Sequence, residues 1–353
     1  MAERFIAELC ERVRDHAERK AALRIRGGGS KDFYGDGARE GEVVEMGVCS
    51  GIVAYEPREL VVTVRAGTPV EEVEQALDRE GQMLPFEPPR FGRSATIGGT
   101  VACGLSGPRR PYAGAVRDYV LGMRIVNGKG EDLSFGGRVI KNVAGYDVSR
   151  LMAGALGTLG ILTEMSFKVL PRPGAEATLA FELDEAEAIR RANAWAGQPL
   201  PLSATAWEAG TLRVRLSGSA PAVDAARDKM GGEADPEGAR YWEELREHRS
   251  AFFAGEAPLW RISVPQTTPP LFEGHAQVVD WGGGIRWLRG PHDSFSIRSE
   301  AERRSGHATL FRGGERSAGI FHPLQPAIAR IHRRLKAAFD PAGILNPGRL
   351  YDF

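Results

Sequence analysis

Apolar residues recur every three to four positions at Phe5, Ile6, Leu9 and Val13, which predicts an amphipathic helix over residues 3–20. The period then shortens. Residues 22–26 read as a strand that stops at three consecutive glycines, and 43–46, 51–55 and 60–65 read as short strands divided by Gly and Pro. Thr68, Pro69 and Glu71 form a helix start, with Thr68 as N-cap, Pro69 at the first helical position and Glu71 completing a capping box. That helix is expected to run to about Glu80 and stop at Gly81. Strands are predicted over 119–126 and 131–135, joined by an Asn127-Gly128 hairpin turn. A short helix over 150–157 and a strand over 161–169 follow, and prolines at 171 and 173 mark a boundary.

Beyond residue 176 the periodicity weakens. Helices are predicted over 184–196, 221–230 and 236–252, and strands over 178–183, 211–217, 259–264 and 284–289. Residues 324–339 recover a strong helical period, with Ile328, Ile331, Leu335 and Phe339 on one face, ahead of a turn-rich tail. Neither an internal repeat nor a low-complexity segment interrupts the chain. The expected divisions are 1–175, 176–323 and 324–353.

Composition narrows the function. The 353 residues carry 46 Lys+Arg against 46 Asp+Glu, a balance that argues against nucleic-acid binding. Cys10, Cys49 and Cys103 are scattered and contain no C-x-x-C, so neither a disulfide framework nor a cysteine-ligated cluster is expected, and no metal site is assigned. The charged N-terminal stretch does not read as a signal peptide, and no apolar run is long enough for a bilayer. These features predict a cytoplasmic protein, peripheral to a membrane at most through partners.

The candidate chemistry lies in three glycine-rich stretches: Arg26-Gly27-Gly28-Gly29-Ser30, Thr96-Ile97-Gly98-Gly99-Thr100, and Gly154 to Gly160. Glycine lets backbone amides approach an anion closely and permits positive φ. Each stretch alone reads equally well as a tight structural turn, and the third could simply pack a helix end on a sheet. Together they suggest a long diphosphate cofactor. The G-x-G-x-x-G fingerprint, the P-loop, G-x-S-x-G and H-E-x-x-H are all absent.

These stretches, with Val116 to Gly122, Lys141 to Val148, Leu156 to Glu164 and the tail Phe339 to Arg349, resemble the FAD-binding fold of the vanillyl-alcohol oxidase superfamily, the PCMH type. More narrowly, the chain resembles the second flavin subunit of bacterial glycolate oxidase (glycolate dehydrogenase). The likeness is strong over 5–173, good over 324–351 and loose between. It implies an α+β fold: a PCMH-type FAD-binding domain of two α/β subdomains over 1–175, an α+β cap over 176–323, and a C-terminal helix returning to the FAD domain. It assigns cofactor contacts to Arg26, Gly27, Gly28, Gly29, Ser30, Thr96, Ile97, Gly98, Gly99, Gly157, Ile161 and Asn346; the residues of the first stretch themselves offer Arg26 or Lys31 as added charge. Where covalent relatives carry a histidine this chain has Gly29, and no neighbouring cysteine replaces it, which implies non-covalent FAD.

The chain departs from its catalytically complete relatives. They carry an H-x-G-D-G-N-x-H motif in the cap and S-G-E-H-G before the last helix; here the nearest echo is Ser305-Gly306-His307. Oxidising a 2-hydroxy acid needs a cation for the carboxylate, a proton acceptor and a hydride acceptor. His307 is the candidate base, with Arg298, Arg303, Arg304 or Arg312 as candidate clamps, although arginines interleaved with Glu300, Glu302 and Glu315 also read as a self-paired surface. The resemblance therefore implies a flavin subunit of a complex that oxidises glycolate to glyoxylate, partnered by a second FAD subunit and an iron–sulfur subunit. A self-sufficient dehydrogenase of another hydroxy acid or alcohol, and a scaffold with a vestigial flavin fold, stay open. Trp195, Trp207, Trp242, Trp281 and Trp287 are candidate docking residues or ordinary core. Acid denaturation is expected to release the yellow colour into the supernatant; colour held in the protein pellet would show a covalent bond.

Overall fold

The computed structural model describes residues 2–36, 41–137 and 147–352. Helix α1 (Ala2–Arg19) buries Ile6, Leu9 and Val13 as its period predicts. Its Arg12 and His16 side chains reach Glu42, the first residue of β2 (Glu42–Glu45). β2 pairs in parallel with β1 (Leu23–Arg26). A two-stranded sheet is marginal alone, and the far edge of β1 is closed by the C-terminal tail. Leu23 N–H donates to the Ile344 carbonyl at 2.8 Å, and Asn346 N–H donates to the Leu23 carbonyl at 2.9 Å.

The second layer contains β3 (Ile52–Glu56), β4 (Val61–Arg65), β5 (Gln82–Met83), β6 (Val120–Val126), β7 (Asp132–Gly136), β8 (Ile161–Lys168) and β9 (Leu170–Pro171). Five of these form an antiparallel sheet ordered β3-β4-β8-β6-β7, while β5 pairs with β9. Helices α2 (Val70–Asp78), α3 (Ile97–Cys103), α4 (Arg110–Ala113), α5 (Val116–Tyr119) and α6 (Val148–Met152) connect them. One apolar cluster unites α1, β1, this sheet and tail residues Ile344 and Leu345. Those two tail residues are 1 % and 0 % exposed, and their burial contributes roughly 2 kcal/mol each.

The cap is an antiparallel sheet of β10 (Ala175–Glu182), β11 (Leu202–Glu208), β12 (Thr211–Gly218), β13 (Glu233–Ala234), β14 (Leu259–Ser263), β15 (Gln277–Asp280), β16 (Ile285–Arg289) and β17 (His307–Arg312). Its order is β13-β10-β12-β11-β15-β16-β14-β17. Helices α7 (Glu185–Ala196), α8 (Ala220–Met230), α9 (Gly238–Glu247) and α10 (Ser294–Arg303) belong to this part, and α11 (Pro326–Phe339) leads back to the first half. Tyr34, Leu105 and Leu156 from the first half pack with Trp242, Trp281, Trp287 and Phe311 of the cap in one apolar cluster.

Several sequence expectations change. α2 begins one residue later than predicted: Pro69 is its N-cap, and no side chain caps it. Thr68 Oγ1 instead donates to the Arg65 carbonyl at 2.7 Å and accepts from Gly51 N–H at 2.9 Å, so the adjacent loop takes the hydroxyl. The Asn127-Gly128 turn is wider than a two-residue hairpin. Asn127 Oδ1 accepts the amides of Lys129 and Glu131, and Gly128 N–H is drawn to the Phe339 carbonyl. The helix expected over 150–157 is the shorter α6. Of the expected apolar face of α11, Leu335 and Phe339 pack on the core while Ile328 and Ile331 stay exposed. Trp242, Trp281 and Trp287 are buried core rather than a docking surface, and Trp195 and Trp207 are half-buried in a third cluster.

The tail is fixed by Asp340, only 1 % exposed, whose carboxylate accepts Lys336 Nζ at 2.6 Å and the amides of Ile344 and Leu345 at 3.1 and 2.8 Å. Asp340→Ala removes a buried charged acceptor and is expected to lower unfolding stability by about 3 kcal/mol, read as a shifted urea midpoint at unchanged slope.

Candidate functional site

The site begins where β1 ends. Leu23 and Ile25 turn their amides toward the tail, where Ile25 N–H donates to Asn346 Oδ1 at 2.8 Å. Asn346 Nδ2 donates to the Leu156 carbonyl at 2.7 Å. One side chain, 2 % exposed, thus ties strand, tail and third glycine stretch together. Beyond it the chain leaves the sheet. The amides of Gly27, Gly28, Gly29 and Ser30 find no protein acceptor among the described residues.

A run of half-buried, unpaired amides is costly unless a ligand or water completes it. Here the run lines a cleft of about 680 Å³, mouth included, whose other wall holds Gly98, Gly99, Cys103 and Gly157. Two glycines are required by geometry. A Cβ on Gly28 would lie 1.3 Å from the Ser94 carbonyl oxygen, and Gly29 has φ +74°. Such a nest of amides suits the oxygens of a diphosphate. The residues present therefore fit the FAD that the sequence implies.

The second glycine stretch works differently from expectation. Thr96 is the N-cap of α3, and its Oγ1 accepts Gly99 N–H at 3.2 Å. Ile97 N–H donates to the Thr68 carbonyl and Gly98 N–H to the Ala66 carbonyl, so no amide over 97–99 is left for an anion. Gly98 and Gly99 supply a smooth wall instead. Ile97 and Ile161 are both fully buried in the core and stand off the cleft lining. Arg26 lines the cleft, but its guanidinium pairs with Asp32 at 2.9 Å and with Glu45 at 3.7 Å, so it braces the loop. Asn346 also lines the cleft, with both amide atoms engaged by protein groups. Lys31 and Arg349 are the other cations of the lining. Lys31 Nζ reaches the Arg90 carbonyl at 3.2 Å and burial pulls its pKa down, while Arg349 holds the carbonyls of Lys31 and Tyr34. Of the Lys141 to Val148 motif, residues 141–146 lie outside the described residues.

Cys103, which sequence reasoning placed apart from the loop, forms part of the cleft wall. Burial pushes its thiol pKa up.

His307 opens β17 and lines a second cleft, of about 1290 Å³ with its mouth included, together with Tyr34, Arg261, Thr309 and His322. Desolvation first, and then the Arg261 charge, pull the His307 pKa below its usual value, leaving a neutral imidazole able to accept a proton. Tyr34, shared with the apolar cluster between the halves, is pushed up to about 12 by burial. The candidate clamps lie elsewhere. Arg303 and Arg304 both pair with Glu300 on the surface of α10. Arg298 donates to the carbonyls of Ala318 and Gly319. Arg312 stacks 4.7 Å from the Phe33 ring centroid. Arg261 was missed, although a single charge inside the predicted 259–264 strand was its visible signal.

Comparison with known proteins places these features. The model of the FAD binding domain family matches residues 4–136, and that of the FAD linked oxidases, C-terminal domain, matches 323–350. The chain is 46 % identical over 343 residues to the glycolate oxidase subunit GlcE of Escherichia coli K12, covering 97 % of this chain and 96 % of that one. It is 33 % identical over 164 residues to the glycolate oxidase subunit GlcD of Bacillus subtilis, covering 46 % of this chain and 35 % of the other. In fold it is similar to a crystal structure of alkyldihydroxyacetonephosphate synthase, with TM-score 0.65 at 16 % identity over 96 % of this chain and 74 % of that one.

Gly28→Ala is expected to weaken FAD binding at least about tenfold, equal to ~1.4 kcal/mol. Gly47→Ala, whose Cβ meets nothing within 4 Å, should keep the flavin. Visible absorbance of the purified variants reads both.

Proposed function

The chain belongs to the family of the glycolate oxidase subunit GlcE, whose members are FAD-dependent oxidoreductases, and on that premise we propose that it is an FAD-carrying subunit of a multi-subunit glycolate oxidase. In this reading it contributes to the conversion of glycolate to glyoxylate. The near full-length identity to GlcE carries the reading, and the unpaired amides of Gly27 to Ser30 support it from the structure.

Bound FAD supplies a two-electron acceptor. The protein's own part would be to hold it, with amides 27–30 as anion donors and Gly98, Gly99 and Gly157 as a smooth wall of the cleft. On the cap side, His307 is the proposed proton acceptor in the second cleft. The scattered cysteines provide no set of ligands for an iron–sulfur cluster. Electrons therefore leave through neighbours, a second FAD subunit and an iron–sulfur subunit. Among the described residues no helix is long and apolar enough to cross a membrane. We place the chain in the cytoplasm, with any membrane contact made by partners.

The test is reconstitution. Isolated chain given glycolate or D-lactate and an artificial acceptor is expected to turn over at less than about 1 % of the assembled complex, a loss of roughly 3 kcal/mol in barrier terms. His307→Ala should slow the complex by about tenfold or more. Robust turnover by the isolated chain would favour a self-sufficient dehydrogenase. An unaffected His307→Ala complex would remove the base assignment.

A further inference from the structure

The second cleft holds a charge that the fold itself leaves unanswered. Its floor is the inner face of the cap sheet. In the register of that sheet Arg261 on β14 lies opposite Trp287 on β16 and Thr309 on β17, and Ser263 lies opposite His307. Side chains alternate along a strand, so Arg261, Thr309, Trp287 and His307 emerge on one face. Trp260 and Ile262 point the other way, into a separate apolar cluster.

Arg261 has little to hold it except rings. Its Cζ lies 5.0 Å from the Trp281 ring centroid and 6.0 Å from that of Trp287. Among the described residues no carboxylate comes within ion-pair distance and no acceptor takes its N–H groups. Every other arginine weighed as a carboxylate clamp has a visible occupation: Arg303 and Arg304 on Glu300, Arg298 on carbonyls, and Arg312 stacked on Phe33 and off this cleft. Burial lowers the Arg261 pKa; Tyr34 opposes it, Arg110 adds to it and Asp280 opposes it. A guanidinium stays charged even so. A half-buried, unpaired fork of donors facing the cleft is open to an anion, and its planar geometry matches a carboxylate.

The remaining walls suit a small, polar acid. Thr309 brings a hydroxyl, and His322 Nδ1 accepts Ala308 N–H at 3.4 Å, which turns its Nε2–H outward as a donor. The His307 imidazole has no hydrogen-bond partner among the described residues. We propose that Arg261 is the carboxylate anchor of a small-acid site within this subunit, taking a short 2-hydroxy or 2-oxo acid, with Thr309 and His307 beside the 2-oxygen. The proposal rests on the reading above and adds to it that this chain holds the acid itself.

The probe is oxalate, titrated calorimetrically into the FAD-loaded full chain. Wild type is expected to bind it; Arg261→Met should weaken binding by about 30-fold, and Arg261→Lys, a point charge without the fork, by about tenfold. If Arg261→Met does not load flavin, Arg261→Lys and Thr309→Val decide the matter. Oxalate affinities equal to wild type in the variants, or no binding by wild type at about 10 mM, a level matching a very weak site, would overturn the anchor. Glycolate turnover by the assembled complex is measured alongside. Turnover without Arg261-dependent oxalate binding sinks the anchor and leaves the family reading standing. Arg261-dependent binding in a complex indifferent to glycolate does the reverse.

Discussion

The two hydrogen bonds of the Asn346 side chain are the constraint on which the flavin cleft depends. β1 has only four residues and one partner strand, too little to hold a loop of unpaired amides in a fixed array. The tail completes it by occupying the free edge, and Asn346 extends that closure by one step at Ile25 and across to Leu156. Asp340 and Lys336 then keep the tail in register, with Lys336 also donating to the carbonyls of Thr158 and Leu345. A binding surface rich in glycine has little side-chain packing of its own, so its rigidity is imported from a distant part of the chain.

Much of the first half was legible because its elements obey simple periods. α1 and the central strands follow from patterning alone. What failed there failed locally, where tertiary contacts overrode local chemistry. Thr68 has the right identity and place for a cap, yet the neighbouring loop takes its hydroxyl. α3 was hidden because two glycines open it, and those glycines are tolerated because a Cβ on Gly98 would meet Ala66 at 2.8 Å. The cap was harder. β11 reads Leu-Ser-Ala-Thr-Ala-Trp-Glu, and its Ala204 and Ala206 are small side chains packed in one cluster with the large rings of Trp242 and Trp281. β15 ends in Asp280, a buried carboxylate that reads as surface in sequence. α10 is dense in charge and reads as loop.

The same contrast holds for the site. The family resemblance located the glycine loop, but motif membership did not distinguish residues that face a ligand from residues that shape the place where it sits. Ile97 and Ile161 lie in the core, Arg26 and Asn346 line the cleft with their polar atoms engaged by protein groups, and the amides of Gly27 to Ser30 are left without a protein acceptor among the described residues. Arg261 illustrates the opposite failure. It belongs to no motif quoted from the sequence, and its importance appears only when the sheet register sets it beside Thr309 and His307.

Ile25 and Asn346 are separated by 321 positions along the chain. During synthesis the glycine-rich turn therefore emerges long before the residue that steadies it. The contact that closes this gap is among the longest-range in the molecule, and such contacts form late in folding. Cofactor capture should accordingly wait for synthesis of the tail, and a polypeptide ended before Asn346 would carry a recognisable flavin motif with no capacity to retain the flavin.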